Sequence, residues 1–179
     1  MKPRYVVDTN VLIAASAADP VHPKDIDATP ADPMLRMAVW QWLSDFQASP
    51  SHLVLDLEDK VYEEYNKKLG FNDFGIQVVM HKFSTAAVDT VSVAYDADGH
   101  ALLPATLVPL IHDMADRKMV AAALEAIRVQ GECPIAFAGD TDWHEWELVL
   151  AQHGVELEPI IEQWSRAKFI EKQQRKSNP

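Results

Sequence analysis

The chain is nearly devoid of cysteine: Cys133 stands alone among 179 residues. A single thiol excludes an internal disulfide and any cysteine-based zinc site, so packing alone has to hold the fold together. No apolar run approaches the roughly 18 residues that span a bilayer. Met1-Lys2-Pro3-Arg4 leads into only a few apolar residues before Asp8, unlike a secretory leader. These absences predict a cytoplasmic protein with no membrane partner. None of the seven histidines forms a His-x-x-x-His pair, which argues against zinc bound on a helix. There is no internal repeat and no low-complexity segment.

Basic charge is also scarce, with 16 Lys and Arg against 27 Asp and Glu, a net charge of -11. A protein that coats nucleic acid needs a basic face, so the bulk charge argues against that class. The basic residues that do occur collect late in the chain. Residues 165–179 hold Arg166, Lys168, Lys172, Arg175 and Lys176 against the single acid Glu171. Without them the chain has 11 basic and 26 acidic residues. The basic stretch reads either as a solvated terminal helix or as an arm that guides a polyanion toward an acidic body.

What is present is the composition of an ordinary folded domain, 48% hydrophobic and 24% charged. Tyr5-Val6-Val7 is a β-prone run ending at Asp8, and Thr9 to Ala15 reads as a helix starting at once, the opening of an α/β unit. Ala17 to Pro33 carries four prolines and no apolar period, an irregular insertion of the functional or mobile kind. Met34 to Phe46 regains a helical period. His52 to Leu55 is a second strand, followed by helices over about Glu58–Leu69 and Asp73–Phe83. Val88 to Tyr95 reads as a strand, and the turn signal Asp96-Ala97-Asp98-Gly99 makes a hairpin with Ala101-Leu102-Leu103. A helix over Asp116–Arg128, a buried strand over Pro134–Ala138, a helix over Trp143–Gln152 capped by Gly154, a short strand over Val155–Leu157 and a terminal helix from Ile160 complete the chain. Strands alternating with helices predict an α/β fold, a three-layer α/β/α sandwich around a mostly parallel sheet.

Four acids stand out by position. Asp8 and Asp140 each directly follow an apolar strand, and in open parallel sheets the carboxyl ends of strands form the ligand crevice. Each also suits the N-cap of the helix that follows. Glu64 lies at the edge of an apolar stripe of Leu57, Val61, Tyr65 and Leu69, whereas Glu63 points away from it. Glu64 can therefore reach a cleft, or else pair with Lys60 or Lys68. Asp116 projects near the centre of the face formed by Met119, Val120, Ala123, Leu124 and Ile127. A buried carboxylate there needs a partner, a proton or a metal, unless it serves with Asp113 to offset the helix dipole. Four carboxylates within about 5 Å of one point repel by several kcal/mol, which a divalent cation relieves. An all-oxygen donor set suits Mg²⁺ or Mn²⁺. His112, near Asp113 and Asp116, fits a structural role, as do Trp143, Trp146 and Cys133, which read as packing residues.

In order and setting these residues resemble the PIN-domain nucleases. The similarity begins with Val6-Val7-Asp8-Thr9-Asn10-Val11-Leu12-Ile13 and continues with Glu64-Tyr65 followed by Leu69. Asp116-Arg117-Lys118 followed by Ala121-Ala122-Ala123 comes next, and then Ala138-Gly139-Asp140-Thr141-Asp142-Trp143. It spans about Tyr5 to Leu157. The resemblance implies a nuclease domain over residues 1–159 with insertions at about 17–33 and 88–104, and a basic helix or tail over 160–179. It implies that Asp8, Glu64, Asp116 and Asp140 are catalytic and hold Mg²⁺ or Mn²⁺, with Asp142 as an auxiliary ligand. Thr9, Asn10 and Thr141 would hydrogen-bond and orient the carboxylates, and Arg117 and Lys118 would contact the substrate backbone. The implied activity is endonucleolytic hydrolysis of single-stranded RNA, in the toxin of a toxin–antitoxin pair. Its partners would be an RNA substrate, a small antitoxin that plugs the acidic cleft with a basic side chain, and a second copy in a homodimer. Two other classes remain: a non-catalytic RNA- or protein-binding module of the same fold, and a haloacid-dehalogenase-type phosphatase. The phosphatase motif expects a second Asp where this chain has Asn10.

Overall fold

A computed structural model describes residues 1–21 and 27–177. Its sheet has five strands: β1 (Arg4–Val7), β2 (His52–Asp56), β3 (Val88–Val91), β4 (Ile135–Phe137) and β5 (Leu157–Pro159). All pairings are parallel, in the order β3-β2-β1-β4-β5. Seven helices occur among the described residues: α1 (Thr9–Ala17), α2 (Pro33–Ala48), α3 (Lys60–Lys68), α4 (Phe74–Ser84), α5 (Met114–Gln130), α6 (Trp143–Gln152) and α7 (Glu162–Ser177). The predicted α/β class with a parallel sheet is therefore found. Among the described residues no helix is long and apolar enough to cross a membrane.

Right-handed crossovers fix which helices cover which face. Helices α1, α2 and α4 pack on one another, and α5 lies against β1, β2, β3 and β4, giving three layers. On the α2 side, the buried Tyr5 ring meets Trp42 and Phe46 edge-on, with centroids 5.3 and 5.8 Å away. Close approach of α1 and α4 depends on Gly75. A Cβ there would lie 2.7 Å from Leu12 Cβ, and the Gly75 N–H donates to Ser16 Oγ at 2.9 Å. Under the start of β2, the buried Lys82 ammonium donates to the carbonyls of Ser49 (2.9 Å) and Ser51 (2.8 Å) and sits over the Phe46 ring.

Strand order reverses at β1: the chain moves outward from β1 to β2 and β3, then crosses back to β4 and β5. The crevice of a doubly wound sheet opens at such a switch point, beyond the carboxyl ends of the strands. Here that is the ground between the ends of β1 and β4, where Asp8 and Asp140 stand.

Several elements differ from expectation. The last strand is Leu157–Pro159 rather than Val155–Leu157, because Ile135 pairs with Leu157 and the Ile135 N–H bonds to Glu156 O. The Val88 strand stops at Val91, and the expected hairpin is reduced to an isolated antiparallel bridge between Tyr95 and Ala101. Leu57 precedes α3 and is 61% exposed, so the apolar stripe of that helix is Val61, Tyr65 and the adjoining Leu69. Of the proline-rich insertion, residues 22–26 lie outside the described residues. The following stretch is docked on the body: Ala28 and Pro30 are buried, and the Arg36 guanidinium donates to the carbonyls of both.

Candidate metal centre

Each acid reaches the switch point by a different local device. Asp8 ends β1 and is the N-cap of α1, its Oδ1 accepting from the Asn10 N–H at 3.3 Å. Asp140 follows β4 by three residues, and its Oδ1 accepts from the Asp142 N–H at 2.9 Å, which holds it in a tight turn. Asp116 lies in the first turn of α5, where Asp113 already caps the helix through the Ala115 N–H at 2.7 Å. The dipole of α5 is thus served by Asp113, and Asp116 faces inward, 6% exposed. Glu64 extends from α3 and is held by Thr9 Oγ1 and by the Lys118 ammonium of α5. The expected pairing of Glu64 with Lys60 or Lys68 is not made; Lys60 faces Glu63 at 3.9 Å.

The charges of these residues are felt mutually. Burial pushes the Asp8 carboxyl up to about 8, and the charges of Asp140 and Glu64 add to that, while the N–H groups of Asn10 and Trp143 oppose it. Asp116 is pushed up to about 9, first by burial and then by Asp8, Asp140, Asp113 and Glu64. Asp140 is also raised, chiefly by burial, with Lys172 pulling in the other direction. Asp8 Oδ2 and Asp116 Oδ2 are both buried with no hydrogen-bond partner among the described residues. Trp143 Nε1 is likewise unbonded, although near enough to favour the Asp8 carboxylate electrostatically. Unmet carboxylate oxygens in a dry site are expensive, and these two belong to residues that repel each other.

The donors fit a hard divalent cation. All are oxygens, two carry free lone pairs, and the excess negative charge calls for a cation or protons. Glu64 stands further from readiness, because Lys118 already neutralises it. Among the described residues, the trio whose ligand atoms all lie within 4.8 Å of one another is elsewhere, at Asp96, Asp98 and His100. That trio is an exposed turn in which Asp96 Oδ1 is taken by the Asp98 and His100 N–H groups, both at 2.9 Å. Among the described residues no three of Asp8, Glu64, Asp116 and Asp140 bring ligand atoms that close together, so the expected convergence of all four on one ion is not seen at that distance; Mg²⁺ in general takes one or two carboxylates directly and keeps several waters.

The remaining site residues are placed as follows. Asn10 orients Asp8 through its backbone N–H rather than its side chain; its Oδ1 is buried, unbonded and close against Gly139. A Cβ on Gly139 would lie 2.6 Å from that oxygen and 2.2 Å from Thr29 O, so glycine is required there for the chain to pass. Thr141 is half-buried and lines a cavity beside Asp140. Asp142 is paired with the Lys172 ammonium of α7. Arg117 turns away from the acids, donating to the carbonyls of Ile111 (3.0 Å) and Val108 (2.9 Å). Lys118 is committed to Glu64, so neither cation is free to meet a substrate as expected. His112 is exposed, and Trp143 and Trp146 are buried core residues, edge to face at 5.4 Å.

Two features of the candidate site escaped the sequence. One is the Lys118–Glu64 pair, which joins α5 to α3. The other is Tyr65, whose hydroxyl donates to Val7 O at 2.5 Å and so pins α3 to the end of β1 beside Asp8. Tyr65 falls on the apolar stripe, so periodicity marks it for burial but says nothing of its hydroxyl. No protein-family model matches the chain, and no curated protein or solved structure matches it.

Proposed function

We propose that the protein is a divalent-cation-dependent endoribonuclease of the PIN type, hydrolysing phosphodiester bonds of single-stranded RNA. One observation carries this reading. Two buried aspartates from different elements, Asp8 and Asp116, each present an unpartnered oxygen at the switch point of a parallel sheet, and both have raised proton affinities, Asp8 through burial, Asp140 and Glu64, and Asp116 through burial and Asp8. An acid cluster with a purely structural purpose would have its oxygens satisfied.

Asp8 and Asp116 would hold the cation, with Asp140 as a third donor fixed by the Asp142 N–H. When bound, Mg²⁺ or Mn²⁺ supplies a lowered water pKa and positive charge against the scissile phosphate. The residues of the chain prepare that chemistry. Asn10 N–H orients Asp8, Thr9 and Lys118 hold Glu64 at the rim, and the apolar walls of β1 and β4 keep the dielectric low. With proton affinities raised to about 8 and 9, Asp8 and Asp116 carry protons near neutral pH and must release them as the cation enters. The toxin role, the antitoxin partner and a homodimer rest on the resemblance of the motifs alone.

The test is incubation of the pure protein with mixed single-stranded RNA, with Mg²⁺ or with chelator, beside Asp116→Ala. Cleavage that vanishes in both controls supports the reading. Magnesium binding without cleavage of any RNA would instead favour a non-catalytic RNA-binding module.

A further inference from the structure

A cavity of about 550 Å³ opens between α7 and the loop after β4. Gly139 and Thr141, the residues on either side of Asp140, form one wall. Along the other run Trp164, Lys168, Lys172 and Arg175. Their spacing of four, four and three residues puts them in one stripe of a helix. From Lys168 to Lys172 the helix rises about 6 Å, and from Lys168 to Arg175 about 10 Å, the reach of successive phosphates along a nucleic-acid strand. The four acids do not themselves line the cavity, which approaches them through Gly139 and Thr141, the chain neighbours of Asp140, with Glu171 among the cations of α7.

The helix is fastened rather than loose. Ser165 is buried and its Oγ lies 2.9 Å from His144 Nε2, while the Arg166 guanidinium grips both Glu147 oxygens at 3.0 and 2.9 Å. This fixes the cations against α6 on the side of Asp140. Lys172 is half-buried and pairs with Asp142. Lys168 pairs with Glu171 on the same helix, an exposed i,i+3 contact that an incoming phosphate can displace at little cost. Arg175 is exposed and has no ion-pair partner among the described residues. Half-buried Trp164 ends the stripe with an aromatic surface in the cavity.

We propose that this groove binds single-stranded RNA beside the carboxylate centre, its phosphates on Lys168, Lys172 and Arg175 and one unpaired base against Trp164. Alternating cations with an aromatic platform is the chemistry of single-strand binding, because stacking requires a base free of its complement. The proposal takes the strand's destination from the nuclease reading, while strand binding itself is independent of cleavage.

The experiment measures anisotropy of a fluorescein-labelled, 12-nucleotide single-stranded RNA on the full chain in chelator, over a series of salt concentrations. Lys168→Ala/Arg175→Ala should weaken binding about tenfold and flatten the log K against log salt slope by roughly 1.4, two single-strand phosphate contacts. Trp164→Leu should weaken it about fivefold or more while leaving the slope unchanged. A charge-matched double variant at distant positions, Lys2→Ala/Arg128→Ala, should bind like wild type. Circular dichroism melts of every variant check that the fold is intact. Unchanged affinity in Lys168→Ala/Arg175→Ala would overturn the proposal, as would an equal loss in the distant variant or equal competition by polyglutamate or duplex RNA. Wild type that binds the strand in this groove but never cleaves it leaves the groove standing and removes the nuclease reading. Cleavage by a protein whose groove variants bind normally does the reverse.

Discussion

Asp8 and Asp56 end neighbouring parallel strands, both are buried, and both precede a helix, yet their oxygens have opposite fates. Asp56 is fully exploited. Its Oδ2 accepts from the Lys60 N–H (3.0 Å) and the Tyr95 hydroxyl (2.9 Å), and its Oδ1 from the Val61 N–H (2.8 Å). Asp8 uses one oxygen on the Asn10 N–H, while its Oδ2 has no hydrogen-bond partner among the described residues and the charges of Asp140 and Glu64 press on it. Burial and position are thus the same for the two acids, and under the proposed reading the unmet oxygen is what separates metal-holding Asp8 from structural Asp56.

The largest difference expected between the two is in chemistry. Asp8→Asn or Asp116→Asn should cut RNA cleavage by about a thousandfold or more, a loss of about 4 kcal/mol of transition-state stabilisation. Asp56→Asn, assayed below its melting temperature, should stay within about tenfold of wild type, since it only positions α3. Initial rates on one RNA substrate decide this. Equal losses at Asp8 and Asp56 would break the contrast.

Stability should run the opposite way. Asp56→Ala strands two amide donors and a tyrosine hydroxyl, and should cost roughly 3 kcal/mol in urea melts. Asp8→Asn removes a repelled carboxylate, so in chelator at pH 8 it should unfold no more easily than wild type.

The same contrast has a pH signature. Asp8 and Asp116 bind protons more tightly folded, at about 8 and 9, than unfolded, near 3.8. Between those limits the folded state holds the extra protons, so metal-free stability from these groups is full below pH 4 and is lost as pH rises through 8 to 9. Asp116→Asn should remove several kcal/mol of that decline, about 1.4 kcal/mol per pH unit between pH 5 and 9, and Mg²⁺ should restore stability in wild type most at high pH. Thermal melts from pH 5 to 9, with chelator or Mg²⁺, read both effects.

The smallest expected effect concerns the rim. Lys118→Met frees Glu64 from its ammonium, and the apparent Mg²⁺ affinity should tighten by about threefold as a competing cation is lost. Titration of melting temperature against Mg²⁺ measures it.

Much of this was legible in the residues. The apolar runs before Asp8 and Asp140 marked strand ends, and the angle of Asp116 among Met119, Val120 and Ala123 marked an inward acid; both placements are found. The run His52-Leu53-Val54-Leu55 before Asp56 carries the same local signal, and only the chain beyond it tells the difference. Asp59 adopts a positive φ of 59°, which folds the start of α3 back over Asp56, and Tyr95 arrives from 39 residues away. Lys118 was read as a substrate contact because nothing local reveals that α3 and α5 meet. The shift of the last strand to Leu157–Pro159 is of the same kind, since Val155 is buried in either register and the pairing with Ile135 makes the choice.

The most direct test of the central claim is Mn²⁺ binding followed by loss of the free-ion paramagnetic resonance signal, at pH 8 in wild type, Asp116→Asn and Asp56→Asn. The account predicts saturable uptake in wild type, uptake retained in Asp56→Asn, and uptake abolished in Asp116→Asn. A wild-type protein that takes up no Mn²⁺, or an Asp116→Asn protein that takes it up as tightly, would contradict it.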